Sequence, residues 1–326
     1  MEQFGELLAK RALDKGLELL RSGDLAKGVQ LLNTVQHTKF IDADNRKDIA
    51  RGFYEYAKVL LQQKDLAQSL SFFHKSLAHD ASNQLCQKRV KLLRGLIERS
   101  SSIVDQLYLS EFAARLEIGG TDLRRYNEGQ FLDYATDQGL ISPRKQTLRD
   151  LPCPSELYCL GNYYPYQHGD KWTRAIRHFK KQTVAGIEDA LAALLSDYLY
   201  KKTKILHSAD YIVPIPPDPA KYVQRGLYAP NDLLANRLSQ LLALPMAPAL
   251  VRHNVGVSTR EADVSQKLVM YELDNQQKKS LTGRGILLLE DVVTSGGTIV
   301  ACIKRCVEVN PRIIQVIALG HTTGGV

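Results

Sequence analysis

The segment from position 286 to 298 reads Ile-Leu-Leu-Leu-Glu-Asp-Val-Val-Thr-Ser-Gly-Gly-Thr. Its four leading apolar residues, Ile286 to Leu289, predict a parallel strand buried on both faces. Two acids, Glu290 and Asp291, follow at the strand's carboxyl end. Thr294, Ser295, Gly296, Gly297 and Thr298 then expose backbone N–H groups with little side-chain bulk over them. Apolar residues recur at helical spacing from Ile299 to Val309, so those amides stand at the positive end of a helix, a favourable place for a phosphate. The two carboxylates are placed to accept hydrogen bonds from neighbouring hydroxyls. The plain alternative is a tight glycine turn after a solvated strand end.

Length and composition set the frame around this segment. A chain of 326 residues is long enough for two or three domains, and 44% hydrophobic with 24% charged residues is ordinary for a globular protein. The first residues lack the basic-then-apolar pattern of a secretory signal, and no apolar run approaches the roughly 18 residues that span a bilayer. A cytoplasmic protein without a membrane span is expected. Five scattered cysteines argue against a disulfide scaffold. Cys302 and Cys306 lie four apart on the helix after the glycine turn, with no His or further Cys close in sequence to complete a zinc site, so apolar packing is their expected role. The formal charge of +8 suits an anionic partner.

The first hundred residues carry helix-favouring patterns throughout. Leu19-Leu20-Arg21-Ser22-Gly23-Asp24-Leu25-Ala26 parallels Leu60-Leu61-Gln62-Gln63-Lys64-Asp65-Leu66-Ala67, an offset of about 41 residues, which is in the range of helical repeats. The second unit looks like a tetratricopeptide repeat (TPR), with small Ala57 and Ala67 where two helices must approach. Residues 1–100 are therefore expected to form an all-α TPR-like domain that offers a surface to a protein partner or to a second copy of the chain. Residues 101–150 read as a small helical connecting subdomain. A helix-turn-helix that touches DNA is the alternative there, with Ser110 as a helix cap and Gly119-Gly120 as the turn.

Leu151-Pro152-Cys153-Pro154 breaks helix, and from 151 to 326 strand and helix patterns alternate, the mark of an α/β domain. Tyr158 to Tyr163 and Tyr211 to Pro216 read as strands; Trp172 to Tyr200 and Ala229 to Leu242 read as helices. The strand ending Pro214-Ile215-Pro216-Pro217-Asp218 presents a loop at the sheet's carboxyl edge, where open α/β folds bind ligands. Lys221 and Arg225 follow, two cations of the kind that hold a diphosphate.

The 286–298 segment resembles the 13-residue signature by which type I phosphoribosyltransferases bind 5-phosphoribosyl 1-diphosphate (PRPP). About 170 residues resemble the ComF-like branch of that family, associated with DNA-uptake operons. The resemblance runs from Arg174-Ala175-Ile176-Arg177-His178-Phe179-Lys180 through Ile212-Val213-Pro214-Ile215-Pro216 and Arg225-Gly226. It continues with Leu250-Val251-Arg252 and Ser265-Gln266, and closes on the glycine turn. It implies a type I phosphoribosyltransferase fold with a central parallel sheet. It implies PRPP bound by the 294–298 turn at its 5′-phosphate and by Glu290 and Asp291 at its ribose, with Pro216, Lys180, Lys221 and Arg225 on the diphosphate side. Residues 258–268 would form a mobile loop over the site, with Thr259, Arg260, Gln266 and Lys267 as the phosphate cover. Glu290, Asp291 and Arg225 would be the catalytic residues. Mg²⁺ would arrive with PRPP, held through ligand oxygens and water rather than by a protein cage, and the acceptor would be an unidentified base or amine.

The chain departs from that pattern in places. Arg225-Gly226 is followed by Leu227-Tyr228-Ala229 instead of an aromatic and two polar amides, and helices stand where a four-cysteine zinc ribbon is often found. The expected activity is a Mg²⁺-dependent phosphoribosyl transfer linked to DNA uptake or nucleotide salvage. The alternatives are a PRPP or nucleotide sensor of weak catalytic power and a DNA-uptake adaptor that uses the helical region for protein partners.

Overall fold

The computed structural model describes residues 2–35, 43–100, 130–137, 141–148, 155–164, 170–181, 187–224, 226, 228–253 and 264–322. The chain divides into two units, Met1–Ser100 and Ser101–Val326.

The first unit is helical throughout its described residues: α1 (Glu2–Ser22), α2 (Leu25–Val35), α3 (Ala43–Gln62), α4 (Leu66–His79) and α5 (Gln84–Ser100). The internal parallel in sequence is a parallel in backbone geometry. Gly23 and Lys64 occupy equivalent turn positions, and both adopt left-handed dihedrals, with φ of 90° and 60°. Each is followed by an aspartate, and the Asp65 carboxylate accepts from the amide of Gln68 at 3.1 Å, capping α4. Helices cross closely at small residues. A Cβ built on Gly28 would lie 3.0 Å from the carbonyl oxygen of Gly16. At the matching pair Ser69 donates its hydroxyl to the carbonyl of Ala57 at 2.8 Å. Ala57 is buried at this seam, whereas Ala67, expected beside it, is exposed. Ser69, two residues further along α4, takes the contact because the helical period turns that position inward.

In the second unit four parallel strands and one antiparallel edge strand form a sheet in the order β1-β2-β7-β6-β3. They are β1 (Arg144–Leu148), β2 (Ser155–Tyr163), β3 (Tyr211–Pro214), β6 (Gly285–Val293) and β7 (Ile313–Thr322). A separate hairpin pairs β4 (Leu250–Arg252) with β5 (Tyr271–Leu273). Between them run α6 (Gln130–Asp137), α7 (Lys171–Lys181), α8 (Ile187–Lys202), α9 (Ile205–Ser208), α10 (Pro219–Gln224), α11 (Pro230–Leu242), α12 (Val264–Met270), α13 (Asn275–Leu281) and α14 (Gly297–Val307).

The apolar run that predicts a doubly covered strand is one. Leu287 and Leu289 join Ile317, Leu319 and helices α7, α8 and α11 in the main core. Ile286 and Leu288, which point the other way, are also fully buried, as are Ile299, Cys302 and Cys306 of α14. Four cysteines (86, 159, 302 and 306) are free and buried, in keeping with a packing role.

The expected helical connector at 101–150 needs correction. Residues 101–129, including the proposed helix-turn-helix, lie outside the described residues. Arg144–Leu148 is a strand, paired antiparallel with β2. Leu132, Ala135 and Ile141 belong to the main core. The boundary expected at 150/151 therefore falls inside the α/β unit. Arg-Lys-Gln-Thr-Leu carries little apolar signal because an edge strand covers little of the core.

Two contacts fix the sheet's register. The lone tryptophan, Trp172 on α7, lies across Gly161, whose Cβ would meet the indole at 2.8 Å, and donates to the carbonyl of Leu319 at 3.1 Å. At the opposite end of the strands, Gly285 lets β6 pass the chain at Ser208. A Cβ there would stand 1.9 Å from the Ser208 carbonyl oxygen. Asp210 accepts from the Gly285 amide at 2.9 Å and from Arg312 at 3.1 Å. Because the obstructing atom is backbone, Gly285→Ala should lower the stability of this unit by about 1–3 kcal/mol, read as a reduced urea midpoint. An unchanged midpoint would contradict the close approach.

Candidate functional site

β6 does not end at its acids. It runs through Glu290 and Asp291 to Val293, with Glu290 opposite Ala318 and Val292 opposite Gly320 of β7. Consecutive residues of a strand face opposite sides, so the two carboxylates part company. Asp291 follows Leu287 and Leu289 toward α7, where the Lys180 ammonium meets both of its oxygens at 2.8 Å. Glu290 lies on the other course. Its Oε1 accepts from the Asp291 amide at 3.0 Å and from Asn231 Nδ2 at 3.1 Å.

Electrostatics follows from this division. Burial works against the Lys180 charge, but Asp291 and Glu290 outweigh it and carry its pKa above that of an ordinary lysine. Burial and the adjacent Asp291 charge push the Glu290 carboxyl up to about 8, against the pull of Lys180 and of the two hydrogen bonds it accepts. The strand end thus pairs Lys180 with Asp291 beside a carboxyl group that holds its proton more tightly than an ordinary glutamate.

The glycine turn has the geometry the spacing predicts. Gly296 caps α14 with φ 75°, a left-handed conformation that suits glycine, and no side chain caps the helix. The first three amides of α14 therefore lack intrahelical partners. Thr294 and Ser295 are exposed. Tyr271 of β5 is a buried phenol whose pKa burial raises.

Lys267 is the largest change from expectation. It belongs to α12, a helix packed on α14, and not to a loop over the site. Its side chain is 6% exposed, and its ammonium lies 2.9 Å from where a Gly297 Cβ would stand. No hydrogen bond or ion pair of Lys267 exists among the described residues. Gln266, its neighbour on α12, is exposed. Thr259, Arg260 and Arg225 lie outside the described residues. Lys221 is in α10, its side chain outside them, and Pro216 is half-buried in the loop after β3.

That loop is held by a contact sequence reading did not single out. Asp218 accepts from Arg252 of β4 at 2.6 Å, and the Arg252 guanidinium lies 5.8 Å from the Tyr271 ring centroid. The β4–β5 hairpin is thereby tied to the loop after β3. Asn231 was also missed. It follows Pro230 in the first turn of α11, where an asparagine is unremarkable, and nothing in its spacing points to Glu290, far along the chain. Among the described residues no three His, Cys, Asp or Glu side chains converge to hold a metal, and no helix is long and apolar enough to cross a membrane.

Scans against protein-family models and against curated proteins return no match.

The Glu290 shift has a sign that can be tested. Its folded pKa, about 8, stands above the usual 4.5, so the folded state holds the extra proton between those values. The stability this gives is complete below the lower value and lost as pH rises through the upper. Glu290→Gln should melt close to the unmodified protein at pH 5 and above it at pH 9, by roughly 2–4 °C for each kcal/mol recovered. A difference in melting temperature that is equal at both pH values would refute the assignment.

Proposed function

We propose that the α/β unit binds PRPP with Mg²⁺ and transfers its phosphoribosyl group to a nitrogen acceptor, as the resemblance to ComF-like type I phosphoribosyltransferases implies. One observation carries this reading. The ammonium of Lys267, with no hydrogen bond or ion pair among the described residues, stands over the uncapped amides at the start of α14. A cation beside free helix-end amides suits a phosphate monoester.

In this reading the 5′-phosphate lies on the 294–298 turn under Lys267, which becomes a phosphate ligand. Glu290 and Asp291 hold the ribose end of the site, Glu290 directly and Asp291 through its ion pair with Lys180. Lys180, in contact with Asp291, keeps that carboxylate neutralised. Mg²⁺ would be held through PRPP oxygens and water rather than by a protein cage, as the resemblance implies. Mg²⁺ would draw charge from the departing diphosphate. In the transfer the bond from ribose C1 to diphosphate oxygen breaks and a C1–N bond forms. The chain's part is to orient the sugar, bind its phosphate and keep the charged end of β6 in place. Lys221 and Arg225 remain the proposed diphosphate side. The helical unit is proposed as a surface for a protein partner or a second copy.

Calorimetry with PRPP and Mg²⁺ tests the binding half. Lys267→Gln should weaken binding roughly 10- to 100-fold, the equivalent of one charge-assisted hydrogen bond. Glu290→Gln combined with Asp291→Asn should abolish it while the melting curve stays cooperative. Undiminished affinity in both variants would end the proposal. Diphosphate release from PRPP in the presence of a panel of bases tests the transfer half. Tight binding with no release is the outcome that selects the sensor reading.

A further inference from the structure

Asn231 is 95% buried by its 5% exposure, and its amide is oriented by its surroundings. Nδ2 donates to the carbonyl of Ile215 at 2.8 Å and to Glu290 Oε1 at 3.1 Å. Both partners are acceptors, so flipping the amide would set oxygen against oxygen, and the orientation is settled by chemistry. Oδ1 is left as a buried acceptor with no donor among the described residues. An acceptor in that state is costly unless something donates to it. It sits at the carboxyl end of β3 and β6, next to Glu290.

Asp291, by contrast, has both oxygens on Lys180. Among the described residues Asn231 Oδ1 has no donor, and the hydrogen bonds that Glu290 accepts converge on Oε1, which leaves Oε2 for a ligand. We propose that Asn231 is a direct ligand of the bound sugar, accepting a hydrogen bond from one hydroxyl of the ribose diol while Oε2 of Glu290 hydrogen-bonds to the other. This assignment rests on the sugar-phosphate reading of the site. It changes the pair of groups that recognises the diol from two sequence neighbours to one acid and an amide from another element. Asp291 then acts through Lys180, as a positioning residue.

The groups around Glu290 are Asp291 on its own strand, Lys180 from α7, and Tyr271 and Cys302 from β5 and α14. None of them donates to Asn231 Oδ1.

The test is discrimination between sugars, which a merely structural asparagine would not govern. Ribose 5-phosphate, 2-deoxyribose 5-phosphate and 3-deoxyribose 5-phosphate are titrated by calorimetry into the full-length protein and into Asn231→Ala. The unmodified protein should prefer ribose 5-phosphate to at least one deoxy analogue by about 10-fold or more, the value of a hydrogen bond to a buried acceptor. Asn231→Ala should lose that preference while still binding the deoxy sugar with nearly the original affinity. If the alanine variant does not fold, Asn231→Ser is read in the same way. Ribose 5-phosphate binding with discrimination intact in the variant overturns the role of Asn231 and leaves the site reading standing. No binding of any of the three sugars to the unmodified protein overturns both.

Discussion

A strand covered on both faces cannot carry charge at its end unless each charge is met before it leaves the core. β6 meets that condition with two separate arrangements. Asp291, in register with the main core, is matched by a full ammonium from α7. Glu290, in register with the other face, is met by neutral donors, and burial raises its pKa. The pleat dictates this asymmetry. It turns two adjacent acids, identical in a sequence motif, into groups of different charge and different company.

The fold was legible where it is most buried. Ile286–Leu289, Tyr211–Pro214 and Ile313–Leu319 announce strands because apolar residues dominate them, with Gln315 the one amide among them, and each lies in the parallel ladder. What escaped was structure whose stability comes from partners distant in sequence. β1 has an almost wholly polar sequence and is a strand because β2 offers it an edge. The β4–β5 hairpin brings together segments about twenty residues apart, three residues from each.

The site divides in the same manner. The acids and the glycine turn are contiguous, so spacing alone places them at a strand end and a helix start. Lys267 could be associated with them by sequence but not positioned, since only the packing of α12 on α14 turns its amine onto Gly297. Asn231 and Asp218 have ordinary local explanations, a helix start and a turn, and their links to Glu290 and Arg252 exist in three dimensions only. In the helical unit the repeated Leu-Leu run and the aspartate after the turn were visible. The residue at the crossing was not: Ser69 makes the contact by bonding a backbone carbonyl, an interaction that apolar periodicity does not register.

The position of Trp172 bears on how the molecule can be observed. It is the chain's single tryptophan, and it is wedged between Gly161 of β2 and the carbonyl of Leu319 on β7. Indole emission therefore reports on one seam of the α/β unit, and the helices of residues 1–100 contribute nothing to it. Fluorescence and far-ultraviolet dichroism applied to the same sample would watch different parts of the chain, and any gap between their transitions would show whether the two units lose their structure together.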